Sequence, residues 1–239
     1  AAQGPNRAGR EYAPGAATSF DLGELVRSHE TIGEVVGIDE SARFINYLNA
    51  QATVRGLAHV RGVTGDVHDL RCAGVEGSFD AAYARWVLCF VKDPEAVVAS
   101  AARMLKPGGR FCVHDYFNYR SMTMAPRRRS YDKAVAATVK SWEDRGGDTD
   151  IVGRLPRMME KHGLKVTHLN VHQRLARGSD TMYTWIEVWW RVYAPKLAEM
   201  GLLTRADVDE LIRDLEEVKR SGVEFVSCPP VYEVVGEKA

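Results

Sequence analysis

The sequence predicts an α/β fold: a parallel sheet with a final antiparallel strand, helices on both faces and a helical lid. Three observations carry this prediction. Short apolar runs alternate with amphipathic helical stretches from Glu34 to Tyr116, the spacing of strand–helix–strand units that cover a parallel sheet. The turn Lys106-Pro107-Gly108-Gly109 separates a helix from the run after it, a stop-and-restart signal. Beyond Tyr116 the alternation gives way to long helices and two extended stretches near the end of the chain.

Taken in order, residues 1–17 are rich in Ala, Gly, Pro and Arg without periodicity and read as a partly ordered N-terminal segment. Residues 18–239 read as one domain. Phe20, Leu22, Leu25 and Val26 mark an amphipathic helix from Thr18 to His29. Glu34 to Asp39 is a short apolar run ending in an acid, suited to a buried parallel strand. Ser41 is placed to cap the next helix, which runs to about Arg55 with Phe44, Ile45 and Leu48 on one face. His59 to Thr64 and Phe79 to Ala84 are further strands, and Pro94 to Met104 is a helix with proline in its first turn. Arg110 to His114 is the strand that follows. Residues 121–145 read as a helical insertion, Gly153 to His162 as a helix, and Leu164 to Leu175 as an antiparallel strand. Thr181 to Met200 is an aromatic-rich helix, Thr204 to Arg220 a charged one, and Phe225 to Val235 a closing strand. The insertions at about 121–145 and 181–220 are the expected lid.

Lys+Arg and Asp+Glu balance at 32 each, which argues against a broad phosphate-binding surface and so against a nucleic-acid partner. The basic run Arg127-Arg128-Arg129 is read as a solvated face. Cys72, Cys89, Cys112 and Cys228 form no CxxC pair, so reduced thiols in a cytoplasmic protein are expected and no metal site is. No stretch approaches the ~18–20 apolar residues that cross a bilayer, so no membrane partner is expected.

Ligands of open parallel sheets bind outside the carboxyl ends of the strands. Asp39 ends its strand, where a carboxylate can accept both hydroxyls of a ribose. Asp66 follows the next strand and can accept from an exocyclic adenine amine, while Val67 offers a backbone N–H and an apolar contact. Arg85-Trp86 and His114-Asp115-Tyr116 follow the next two strands. Either acid alone could instead be a helix cap or turn former.

The runs Val35-Val36-Gly37-Ile38-Asp39-Glu40-Ser41, Gly65-Asp66-Val67, Phe79 to Arg85, and Leu105 to Arg110 stand in the order of the successive motifs of class I methyltransferases. Over residues 34–119 the chain resembles that Rossmann-like family, and within it the UbiE/type 11 small-molecule group. The resemblance implies S-adenosyl-L-methionine as cofactor. It assigns the ribose to Asp39 with Glu40 beside it, the adenine to Asp66 and Val67, and a place beside the methionine portion to Arg85. The family's glycine-rich loop, where the backbone approaches the cofactor closely, has no full counterpart. One placement makes Pro14-Gly15-Ala16-Ala17 the end of the loop, with Gly15 as its cofactor-binding glycine, and leaves the preceding strand absent. The other makes Ser19-Phe20-Asp21-Leu22-Gly23 the strand and loop start. Either way a strand of the family is missing before Val35, a costly loss because its neighbours would keep unpaired backbone groups. The sequence is read as lacking a segment of the full gene product, with a scaffold degenerate in its loop as the alternative.

Methyl transfer rests mainly on aligning the acceptor with the methyl carbon and excluding water. His114 is the candidate base and Tyr116, with Tyr119, an orienting group. Trp185, Trp189 and Tyr193 fall at i, i+4 and i+8, one aromatic stripe that serves either the core or an acceptor pocket. The expected partner is a small-molecule acceptor nucleophilic at O, N or C, and the expected assembly a monomer or homodimer. A nicotinamide-dependent dehydrogenase is the other nucleotide-binding reading, but the chain lacks a GxGxxG turn.

Overall fold

The computed structural model describes residues 33–239. Gly15, the helix expected over 18–29 and both placements of the glycine loop lie outside the described residues. The first described strand, β1 (Val35–Asp39), pairs in parallel with β2 (Val60–Thr64), from Val35↔Val60 to Asp39↔Thr64. Helix α1 (Ala42–Val54) connects them and buries Ile45 and Ala52. Its Leu48 lies so close to β2 that a Cβ at Gly62 would meet it at 2.6 Å. The glycine also lets the Asn49 side chain bond both Gly62 N–H (2.6 Å) and Gly62 C=O (3.2 Å), fixing helix against strand. Two expectations change here. Phe44 is 61% exposed, so the inner face is Ile45, Leu48 and Ala52 rather than one centred on Phe44. Ser41 makes no side-chain cap; its own N–H is taken by Asp39 Oδ1 at 2.7 Å.

β3 (Phe79–Arg85) pairs in parallel with β4 (Leu105–Tyr116), which antiparallel β9 (Val231–Lys238) joins to β6 (Leu164–His172), giving the order β3-β4-β9-β6. β4 starts five residues earlier than expected. The pairing jumps from Phe79↔Leu105 to Ala81↔Arg110, so Lys106–Gly109 bulges out within the strand, with Gly108 at φ +77°. Helix α2 (Pro94–Met104) delivers the chain to that bulge. The closing stretch 225–235 is two strands, because Pro229 and Pro230 cannot donate to a ladder. The first, β8 (Phe225–Ser227), sits between β5 (Thr123–Ala125) and β7 (Leu175–Arg177) in a small antiparallel sheet that periodicity does not foretell. The insertion expected as helix over 121–145 accordingly begins as strand. Only after Pro126 does α3 (Arg129–Glu143) start.

Helix α4 (Leu155–Lys161) precedes β6, and α5 (Thr181–Glu199) and α6 (Arg205–Ser221) pack with α3. Tyr183 donates to the Leu215 carbonyl, joining α5 to α6. Arg128 of the basic run is a structural hub, 22% exposed, that meets Asp214, Glu217 and Glu224. The core runs continuously from Leu88, Val98 and Val113 through Tyr131 to Trp190 and Leu211; each such large apolar side chain contributes about 1.5–3 kcal/mol of burial.

Among the described residues, no pairing joins the β1–β2 pair to the four-stranded sheet. One edge of β1 and one edge of β3 therefore pair with no described strand, and every residue of β1 is half-buried.

Candidate functional site

Asp39 and Asp66 stand at the carboxyl ends of adjacent parallel strands, and the Gly65 N–H donates to the Asp39 carbonyl at 3.1 Å. The Asp39 carboxylate accepts from Ser41 N–H through Oδ1 at 2.7 Å. Asp66, 70% exposed at the side chain, accepts from His68 N–H at 2.9 Å and from the His68 ring. The backbone bond and then the ring hold its carboxyl below the ordinary range. Both acids thus serve as turn formers, each through its Oδ1. Glu40 is exposed beside Asp39, and Val67 packs against the core below the turn.

The ends of β3 and β4 meet differently. Trp86 has φ +54°, a left-handed conformation rare for a bulky residue and a form of local strain found at functional sites. It is held there from two sides. Its N–H donates to the His114 carbonyl at 2.9 Å. Asp115, fully buried, accepts from Leu88 N–H (2.9 Å), Cys89 N–H (3.2 Å) and Tyr116 N–H (2.9 Å), clamping the loop that follows Trp86. Burial raises the Asp115 carboxyl pKa, and these donors only partly offset it. The Arg85 guanidinium lies 4.6 Å from the centre of the Trp86 ring, a cation–π contact. Sequence reasoning passed over Asp115 because a single acid in an apolar run carries no spacing signal.

Above this loop is a cavity of about 170 Å³ walled by aromatic rings. Trp86 stacks between Tyr116 (6.0 Å, 14°) and Trp185 (5.9 Å, 7°). Trp142, Tyr119 and Trp189 complete the wall, with Phe90 at the rim, edge-on to Trp142 at 4.7 Å. Of the α5 stripe, Trp185 and Trp189 face the cavity. Tyr193 stands behind, stacked on Trp189 at 4.6 Å and accepting from Trp142 Nε1 at 3.1 Å. Burial pushes the Tyr116 and Tyr119 phenols far up, so both stay protonated.

His114 does not line this cavity. Its Nδ1 is 2.9 Å from the Tyr83 hydroxyl and its Nε2 is 3.2 Å from Glu233 Oε2, on the half-exposed face of the sheet. Burial lowers its pKa, against the pull of Glu233. The structure therefore brings Tyr116 and Arg85–Trp86 to one place, Asp39, Glu40, Asp66 and Val67 to the ends of β1 and β2, and sets His114 apart from the aromatic walls.

A family model described as a methyltransferase domain matches residues 14–113. An uncharacterised 37.1 kDa protein in transposon TN4556 of Streptomyces fradiae is 36% identical over 99 residues, 41% of this chain and 28% of that protein. An arsenite methyltransferase of Aquipseudomonas alcaligenes is 26% identical over 174 residues, 67% of this chain and 49% of that one. The chain thus spans half or less of the length of these curated relatives. Among solved structures, the YcgJ protein of Bacillus subtilis aligns with a TM-score of 0.55 at 16% identity, covering 86% of this chain and 82% of that one. A geranyl diphosphate methyltransferase in complex with S-adenosylmethionine aligns at 0.52 and 17%, covering 91% and 74%. The [4+2]-cyclase SpnF aligns at 0.51 and 17%, covering 91% and 71%. The match to the methyltransferase-domain model spans residues 14–113, and the chain shares the fold of these solved structures.

Proposed function

We propose that the protein transfers a methyl group from S-adenosyl-L-methionine to a small, flat, largely apolar acceptor held in the aromatic cavity. The observation that carries this reading is the cavity itself, set on the loop that ends β3 and lined by seven aromatic rings from different elements. Its volume is of the order that holds a single ring. The methyltransferase domain and the relatives' names support the choice of cofactor, and the residues present fit it in part. Two carboxylates at the ends of adjacent strands, Asp39 and Asp66, suit a ribose and an adenine amine, with Val67 against the base. The cofactor supplies an electrophilic methyl carbon next to a positive sulfur.

The chain's own residues do the rest. The rings of Trp86, Trp185 and Tyr116 exclude water and present π-faces, which stabilise positive charge as it shifts onto the acceptor. Tyr116, kept protonated, orients the acceptor by hydrogen bonding and does not remove a proton. The walls hold no ionised base, and His114 lies apart from them on the sheet face. This favours an acceptor nucleophilic without prior deprotonation, such as a neutral amine nitrogen or an electron-rich ring carbon, over an alcohol. Helices α3, α5 and α6 serve as the lid of a single domain, and the acceptor is a small molecule rather than nucleic acid.

Arsenite, named for one relative, is a poor fit. Soft acceptors call for clustered thiolates, whereas the one group of three or more ligand atoms among the described residues includes a single cysteine. The absence of a full glycine loop favours a second reading, a methyltransferase-like binding protein without catalysis. Incubation of the full gene product with methyl-labelled cofactor and a panel of monocyclic amines and arenes tests the proposal. Label on an amine or a ring carbon supports it. Cofactor binding with no transfer to any acceptor supports the second reading.

A further inference from the structure

Outside the aromatic cavity, one face of the four-stranded sheet gathers an unusual set of donors. β4 contributes Cys112 and His114, β9 contributes Glu233, and β6 contributes His168 and His172. One ligand atom from each of Cys112, His114 and Glu233 lies within 4.8 Å of the other two. Glu233 Oε2 is 3.2 Å from His114 Nε2 and 2.9 Å from His172 Nε2, and Glu233 Oε1 is 3.7 Å from His168 Nε2. Three imidazoles around one carboxylate exceed what an ion pair needs.

We propose that Cys112, His114, His172 and Glu233 form a binding site for a divalent transition metal, zinc above all. The geometry supports four-coordination. Bonds of about 2.0–2.3 Å in a tetrahedral site put ligand atoms roughly 3.3–3.7 Å apart. Cys112, His114 and Glu233 already stand within 4.8 Å of one another, and His172, 2.9 Å from Glu233, closes on them by side-chain rotation. His114 Nε2 is buried yet meets no hydrogen bond of good geometry, so it is aimed at the centre of the set without being satisfied there. Its other nitrogen is 2.9 Å from the Tyr83 hydroxyl, the outer-shell contact that fixes the ring of a metal-ligating histidine. The mixture of sulfur, nitrogen and oxygen selects zinc over magnesium or calcium. One thiolate and one carboxylate also neutralise a dication, as a half-buried position requires. Binding releases the Cys112 proton to solvent, and the metal clamps β4, β9 and β6 across the sheet face.

The ligands lie 58 and more residues apart along the chain, except for Cys112 and His114, so no local spacing could reveal them. The site stands independently of the methyltransferase reading.

The test is equilibrium dialysis of the full gene product against zinc and against cobalt(II), read by metal analysis and absorption. The proposal expects one metal per chain, with cobalt giving tetrahedral d–d bands and a thiolate charge-transfer band. Cys112→Ser abolishes the charge-transfer band. Tyr83→Phe weakens affinity roughly 10–100-fold, as loss of an outer-shell partner does. His172 is half-exposed, so His172→Ala keeps the fold, checked by circular dichroism, and loses stoichiometric uptake. No uptake by the wild-type protein overturns the proposal. So does uptake that His172→Ala and Cys112→Ser leave unchanged.

Discussion

Asp115 has more to do than any other single side chain near the aromatic cavity, and its replacement is the sharpest test of how that cavity is held. Its carboxylate is fully buried and accepts from three backbone N–H groups at 2.9, 3.2 and 2.9 Å, two of them in the loop behind Trp86. A hydrogen bond to a charged group is worth about 1.5–3 kcal/mol net, and a buried donor left unpaired costs about 1–3 kcal/mol. Burial of the carboxylate returns part of that gain, which is why its pKa is raised. Asp115→Ala strands all three donors, and the net loss is about 3–5 kcal/mol, the range for breaking a buried charged network from one side. Asp115→Asn keeps one acceptor oxygen but turns an N–H₂ toward the remaining donor, at about 1–2 kcal/mol. Urea unfolding followed by tryptophan fluorescence measures both. Because the same loop sets Trp86, the Asn variant is also expected to show altered emission while still folded. An Asp115→Ala protein within 0.5 kcal/mol of wild type, with unchanged emission, would refute the clamp.

Three further outcomes follow from the same structure. Trp185→Ala removes one slice of the ring stack, so acceptor binding falls by about 1–2 kcal/mol while affinity for the cofactor product stays the same; an equal fall in both would place Trp185 in the cofactor site. A Cβ at Gly178 would meet the backbone of Lys219, so Gly178→Ala is expected to lower the thermal midpoint by about 2–12 °C, from an overpacking cost of about 1–3 kcal/mol. Lys133, and then Thr204, hold the Asp207 carboxyl well below the usual range. Its stabilisation is complete above the unfolded pKa of about 3.9 and is lost as pH falls through the lower folded value. Acid unfolding of Asp207→Asn is therefore expected to be shallower below pH ~4 than that of the wild type, and identical slopes would sink this assignment.

The strand ends were legible because chemistry and pattern coincide there. An apolar run closing on Asp39, and a Gly-Asp turn after the next run, can be read without a structure. The stripe of Trp185, Trp189 and Tyr193 was legible as a stripe, but its target was not, since a helix face says nothing of what packs against it. Asp115 was invisible because its partners Leu88 and Cys89 lie more than 20 residues earlier. His114 was singled out for the right position and the wrong neighbourhood. It ends on the sheet face with Glu233 and His172, which only long-range antiparallel pairing brings near. The three-residue strands β5, β7 and β8 are too short to carry a period.

The central claim is that the ends of β1 and β2 hold the nucleoside of S-adenosylmethionine. Isothermal titration of the folded full gene product with S-adenosylhomocysteine tests it most directly, with Asp39→Ala in parallel. The account predicts saturable binding that the variant weakens by about 1–3 kcal/mol, the scale of lost charge-assisted hydrogen bonds. No heat from the wild type, or the same affinity in both proteins, would contradict it.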